Sequence, residues 1–288
     1  MAEILKGAPV AAALSEELIK RAEALKQAGI VPTLAILRVG EQPDDIAYET
    51  GVMKRCGKIG IAVKRFLLPA DCSKAELTAV IEHINVNPAI HGCLMFRPLP
   101  DQEMEDAACA LLAPEKDVDC MTAGSLAGVF TGKGAGFPPC TAQACIELLD
   151  HYSIALKGKR AAVIGRSLVI GKPVSMMLQQ RNATVTMCHT RTVDLPGVCR
   201  QTEIVIVAAG KAGVVNRAFA APGQIVVDVG INVDENGKLC GDVKFDEAEP
   251  VVAAITPVPG GVGAVTTAVL AKHVIEAAEK AQNSSSSG

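Results

Sequence analysis

From Arg160 onward the chain repeats one short pattern: an apolar run of strand length, closed by glycine or a polar turn. The runs read RAAVIG, ATVTMCH, EIVIVAAG, QIVVDVG and VAAITPVPGG. A strand with one wet face alternates apolar and polar residues, whereas a strand covered on both faces reads as a continuous Val/Ile run. Strands of the second kind lie parallel, and parallel neighbours need a crossover, commonly a helix. This half therefore reads as an α/β domain with a parallel sheet. The same alternation precedes it. AAALSEELIKRAEALKQAG is an amphipathic helix stopped by Gly29, and VPTLAILRVG is an apolar strand. AVKRFLLP is a second strand, SKAELTAVIEHINVNP is a helix capped by Ser73, and IHGCLMFRPLP is a buried strand entering a proline-rich loop. The 288 residues thus hold two α/β domains, meeting near residue 143. PCTAQACIELLDHYSIALKGK joins them as one long helix with Thr141 as its cap, and AVTTAVLAKHVIEAAEKA is the last helix.

Composition removes several alternatives. Aromatics are only 3% of the chain, so a core must come from Ala, Val, Leu and Ile. A net charge of -3 gives no electrostatic reason to expect nucleic acid or an anionic membrane as partner. Ten scattered cysteines contain no C-x-x-C pair, so reduced core thiols are expected rather than a metal site or a disulfide framework. The start of the sequence becomes charged too soon for a signal peptide, and no apolar run reaches membrane-span length. A cytoplasmic protein is expected. NSSSSG is a low-complexity end, expected to be disordered.

Three stretches suggest chemistry. AAVIGRSLVIGKP is a strand, a glycine loop and a helix start, spaced Gly165-x-Ser167-x-x-x-Gly171. Glycine lets backbone approach a ligand, and a helix N-terminus offers N–H groups to phosphate. Arg166 stands at the turn. CHTRT ends the next strand, where dinucleotide folds read the adenine ribose, and it carries His189, Thr190 and Arg191 without an acid. A carboxylate there would hold a free 2′-hydroxyl, so this set favours a 2′-phosphate, hence NADP. Gly210, Asp228 and Gly230 fall at further strand ends, and TPVPGGVG packs two prolines and three glycines into eight residues. The third stretch is DDIAYETGVMKRCGKIGI, read as a helix from Ile46, Tyr48, Val52, Cys56 and Ile59. Gly51 and Val52 flank Tyr48 on its face, while Lys54 lies roughly 120° away. On this stretch alone Tyr48 is a core residue.

Together these residues resemble the bifunctional methylenetetrahydrofolate dehydrogenase/cyclohydrolase (FolD) family. The resemblance spans nearly the whole chain, through Tyr48, RPLP, PEKDVD, PPCTAQA, IGRSLVIGKP, CHTRT, DVGIN and TPVPGGVG. It implies two α/β domains around a cleft, with the last helix returning to the first domain. Residues 1–143 and 265–288 would form the folate-binding, catalytic domain, and 144–264 a Rossmann-like NADP domain. A homodimer is implied too. By position, Gly165, Arg166, Ser167, Gly171, Thr190, Gly210 and Ile231 match the NADP site. Tyr48 matches a tyrosine that stacks on folate, and Asp119 the carboxylate that binds the pterin. Pro98, Leu99, Pro259, Gly260 and Gly261 match the folate cleft walls.

The catalytic half departs from that pattern. Val52 stands at the family's lysine position and Phe96 at its glutamine position. Pro43-Asp44-Asp45 replaces P-A-S, Cys120 replaces a glycine, and Ala264-Val265 replaces proline and methionine. Hydride transfer needs mainly alignment, but the cyclohydrolase step needs proton transfers, which valine cannot perform. The expectation is an NADP-dependent dehydrogenase with little or no cyclohydrolase activity. Two alternatives stay open: a paralogue for another one-carbon folate or pterin, with Phe96, Arg97 and Asp45 setting specificity, or a non-catalytic NADP-binding protein.

Overall fold

A computed structural model of the chain describes residues 1–134 and 136–285. In chain order the elements begin β1 (Glu3–Ile4), α1 (Gly7–Gln27), β2 (Thr33–Val39), α2 (Pro43–Ile59), β3 (Ala62–Leu68), α3 (Lys74–Val86) and β4 (Gly92–Met95). They continue with α4 (Gln102–Leu111), α5 (Ala123–Thr131), α6 (Cys140–His151), β5 (Arg160–Ile164), α7 (Gly171–Gln180), β6 (Thr184–Cys188) and α8 (Leu195–Arg200). The last are β7 (Ile204–Val207), β8 (Ile225–Asp228), β9 (Asn232–Val233), β10 (Leu239–Cys240), α9 (Phe245–Ala248), β11 (Ala254–Ile255) and α10 (Thr266–Ser285). The chain divides into two compact units, Met1–Ala12 with Thr141–Thr266 and Ala13–Cys140 with Thr267–Gly288.

The first unit holds a six-stranded sheet in the order β1-β11-β8-β7-β5-β6, every pairing parallel. β5, β7 and β8 are almost wholly buried, as their unbroken Val/Ile runs require. The chain passes from β5 to β6 on one side, then crosses to β7 on the other. That reversal opens a crevice at the carboxyl ends of β5 and β7, the usual ligand position in open α/β sheets. The start of the chain differs from the sequence expectation. Residues 1–12 group with the six-stranded unit because β1 hydrogen-bonds to β11, with Glu3 N–H on Ala253 O at 2.8 Å and Leu5 N–H on Ile255 O at 2.9 Å.

The second unit holds a parallel sheet in the order β3-β2-β4. α3 begins as expected at Ser73, whose hydroxyl accepts the Glu76 N–H while the Glu76 carboxylate takes the Ser73 N–H. The helix read across residues 139–159 is shorter than expected. α6 already includes Thr141 and stops at His151, where Ser153 adopts a left-handed φ of 55° and Ile154 N–H closes back on Leu149 O. α10 is longer than expected and carries Asn283, Ser284 and Ser285 as helix; residues 286–288 lie outside the described set. Eight of the ten cysteines are buried, serving as small core residues.

Candidate functional site

In the six-stranded unit the loops after β5 and β7 close against each other. A Cβ on Gly165 would lie 2.2 Å from Ala208 O, and one on Gly171 would lie 2.2 Å from Gly165 O. Both glycines are therefore required by backbone contact, and Gly165 also has a φ of 126°. Ser167 Oγ accepts the Ile170 N–H at 3.1 Å, which shapes the turn before α7. Arg166 and Thr190 are exposed on loops that follow neighbouring parallel strands, so they open from one sheet edge. No hydrogen bond or ion pair engages the Arg166 side chain among the described residues. The structure thus brings Gly165, Arg166, Ser167, Gly171 and Thr190 to one edge, with Gly210 on the loop after β7.

The sequence reading missed what holds that last loop. Asp242 is fully buried. Its Oδ2 accepts the Ala209 and Gly210 N–H groups at 2.6 and 2.9 Å, and its Oδ1 accepts those of Lys211 and the Asn232 amide, both at 2.9 Å. Four donors on one carboxylate fix the loop that carries Gly210. The visible signal was an aspartate set between the apolar residues of LCGDV. Asp228, also buried, accepts the N–H groups of Gly230, Asp242 and Val243. Burial pushes its pKa up to about 6 against those bonds, and the neighbouring Asp242 adds to the rise. Beside it, Ile231, Pro259, Gly260 and Gly261 line one hollow of about 270 Å³. Gly7 N–H binds Gly260 O at 2.8 Å, and a Cβ on Gly7 would meet Gly261 O at 2.1 Å, so the chain's start buttresses this loop.

In the three-stranded unit the buried face of α2 differs from the expected one. Glu49, Val52, Cys56 and Ile59 are buried, whereas Ile46 and Tyr48 are 41% and 39% exposed. Tyr48 is therefore no core residue. Its ring meets the Phe96 ring edge-on, centroids 6.1 Å apart and planes at 82°. Val52 is 1% exposed, and Lys54 points to solvent. Glu49 was missed by the sequence reading. Its carboxylate accepts Arg38 Nε at 2.9 Å and Arg65 Nε at 2.5 Å, and Arg38 also donates to Gly40 O.

After Phe96 the chain turns through exposed Pro98 to buried Leu99, whose N–H binds Glu105 at 2.8 Å; Arg97 pairs with the same carboxylate at 3.7 Å. Asp119 is half-buried, and its Oδ1 accepts the Cys140 N–H at the start of α6, at 3.0 Å. Burial raises its pKa, opposed by that hydrogen bond. Cys120 has a left-handed φ of 60°, which suits the glycine that the family resemblance implies there. Beneath lies His273, 2% exposed, with Nδ1–H on Val118 O at 2.9 Å and its ring stacked on Phe137 at 5.0 Å. Among the described residues no cluster of His, Cys, Asp and Glu could hold a metal, and no helix is long and apolar enough to cross a membrane.

Two family profiles match almost end to end: the tetrahydrofolate dehydrogenase/cyclohydrolase catalytic domain over residues 5–119, and the NAD(P)-binding domain of the same enzymes over residues 139–282. The chain belongs to the tetrahydrofolate dehydrogenase/cyclohydrolase family. Bifunctional protein FolD of Carboxydothermus hydrogenoformans is 51% identical over 281 residues, covering 97% of this chain and 98% of the relative. That of Clostridioides difficile is 48% identical, with 98% of each covered. Among solved structures, the FolD dehydrogenase/cyclohydrolase of Campylobacter jejuni superposes with a TM-score of 0.92 at 37% identity, covering 97% of this chain and 99% of that one. The Trypanosoma brucei enzyme, solved with NADP cofactor and inhibitor, gives 0.89 at 33% identity, covering 97% and 98%. Tyr48, Val52, Phe96 and Asp119 thus fall in the family's catalytic domain, and the loops from Gly165 to Gly261 in its NAD(P)-binding domain.

Proposed function

We propose that this protein oxidises 5,10-methylenetetrahydrofolate to 5,10-methenyltetrahydrofolate with NADP+, and that it hydrolyses the product weakly or not at all. The observation that carries the second half is what stands at positions 52 and 96. Where the reaction's proton-transfer pair is expected stand a valine at 1% exposure and a phenylalanine edge-on to the tyrosine.

The residues present fit NADP. Gly165 and Gly171 permit the close backbone contacts that shape the loop before α7, and among the described residues no hydrogen bond or ion pair competes for Arg166. Arg166 and Thr190 would take the 2′-phosphate, and the Gly210 loop, clamped by Asp242, would lie along the rest of the nucleotide. NADP+ supplies the hydride acceptor. Asp119 would accept hydrogen bonds from the pterin amino group and ring N–H, while Tyr48 and Phe96 pack against the flat ring. The folate's own flanking nitrogens carry the positive charge that develops at the methylene carbon, so the protein needs to orient rather than to donate protons. An apolar wall also keeps water unactivated beside the methenyl carbon. A general acid or base typically contributes about 10²–10⁴-fold, which is the scale of the hydrolysis lost without one.

The test is one assay with two readings: NADPH formation from methylenetetrahydrofolate, and loss of methenyl absorbance at a pH where buffer hydrolysis is slow. NADPH formation with methenyl accumulation is expected. No NADPH would overturn the dehydrogenase assignment, and rapid methenyl loss would overturn the second half.

A further inference from the structure

A cavity of about 750 Å³ lies at the amino-terminal end of β2 and β4, with the length of those strands between it and Phe96. It belongs wholly to the three-stranded unit, and nothing in the proposed chemistry uses it. His91, just before β4, is 8% exposed and lines this cavity. Its Nδ1 accepts the Thr33 N–H at 3.2 Å, so the ring's proton sits on Nε2. Nε2 has no partner among the described residues. No fully buried side-chain nitrogen or oxygen there is left unpaired, so Nε2 must open into the cavity.

Two ammonium groups share the lining. Lys116 Nζ is anchored on Ile84 O and Asn87 O, both at 2.6 Å, with one N–H to spare. Lys280 Nζ sits 4.2 Å above the Phe137 ring centre. Glu115 is the one acid of the lining, and it is exposed. Burial and Lys116 together lower the His91 pKa, so the imidazole presents a neutral N–H beside the Lys116 ammonium, with Lys280 elsewhere on the same lining. The remaining wall, with Ile90 and Phe137, is largely apolar, Gln282 being its other polar side chain. A buried N–H donor, two ammonium groups and a largely apolar wall match one ligand class: an anion on an apolar body.

We propose that this cavity binds a small organic carboxylate with an aromatic or bulky apolar body. The carboxylate sits between His91 Nε2–H and the ammonium groups of Lys116 and Lys280, and the body lies against Ile90 and Phe137.

The probe is 2-naphthoate, titrated into the full chain while the ring C–H resonance of His91 is followed by NMR. The chain has five histidines, so a single variant, His91→Asn, assigns that signal and keeps an acceptor for the Thr33 N–H. 2-Naphthalenemethanol serves as the uncharged counterpart. The expected result is a saturable shift at His91, about tenfold weaker for the alcohol and about tenfold weaker in Lys280→Met. No saturable shift at His91, or shifts confined to other histidines, would overturn the site. Equal binding of acid and alcohol, or unchanged binding in Lys280→Met, would overturn its assignment to an anion.

Discussion

Val52 and Phe96 stand at the two positions where the proposed function lacks proton-transfer groups, and the prediction at this scale follows from that. Val52→Lys alone would put an ammonium into a position 1% exposed, where its charge is desolvated and has no amide partner from residue 96. Methenyl hydrolysis should rise little. Val52→Lys with Phe96→Gln gives the ammonium an amide partner, and hydrolysis should exceed the sum of the two singles by about tenfold or more. Stopped-flow loss of methenyl absorbance checks this, and additivity of the singles would refute the pairing. Arg166 carries the second prediction. Its guanidinium is exposed and has no partner among the described residues, so Arg166→Ala should leave the fold intact and remove one charge-assisted contact, about 1.5–3 kcal/mol of NADP affinity. NAD affinity should be nearly unchanged. Calorimetric titration of both nucleotides decides it, and equal losses would move the 2′-phosphate elsewhere.

α2 is seated by charge as well as by apolar contact. Glu49 is 3% exposed and Arg38 4%, so truncating one strands the other in the interior. Glu49→Gln should cost about 3–5 kcal/mol in urea unfolding, while Glu49→Leu with Arg38→Met should recover most of that loss. A double variant as unstable as the single would show that the pair itself, and not the stranded charge, sets the stability. This helix also marks how far the sequence could be read. Its existence and the parallel sheets were legible, because periodicity and unbroken Val/Ile runs report burial directly. Its buried face was not, because Glu49 lies in line with Val52, Cys56 and Ile59, and a lone acid gives no sign of burial until its arginines are brought to it from β2 and β3. The clamp of Asp242 was hidden for the same reason: its four donors come from residues 209–211 and 232. The end of α6 at His151 turned on one serine in a left-handed conformation, which composition does not announce. The loops that share Gly165, Arg166 and Thr190 were legible because each simply follows a strand of a sheet whose direction was already known.

For the molecule as a whole, pH is a sensitive axis. His273 is buried neutral, and burial lowers its pKa from 6.5 to about 4. Below pH 6.5 the unfolded chain takes up a proton that the native state refuses until about pH 4, so this group's stabilising contribution falls as pH falls through that window. Full loss amounts to about 3 kcal/mol. Asp228 acts in the opposite sense. Its pKa is raised from 3.8 to about 6, so its contribution is present at low pH and lost as pH rises through that range. His273→Gln separates the two: the stability gap between wild type and variant should shrink from pH 7 to pH 4 in chemical denaturation. A gap independent of pH would mean that His273 does not stay neutral in the native state. The pairing of β1 with β11 reaches further than stability. Glu3 and Ala254 are partners in one sheet, and α10, from Thr267 on, groups with the unit that begins at Ala13. On a ribosome, therefore, the six-stranded unit lacks a part until Ala254 and Ile255 have been made, and the three-stranded unit lacks one until α10 has been made. The Val/Ile strands between them emerge with an edge still unfilled, and unfilled parallel edges are where growing chains stick to one another. The architecture places a demand on the cell's chaperones during synthesis that the finished molecule gives no hint of.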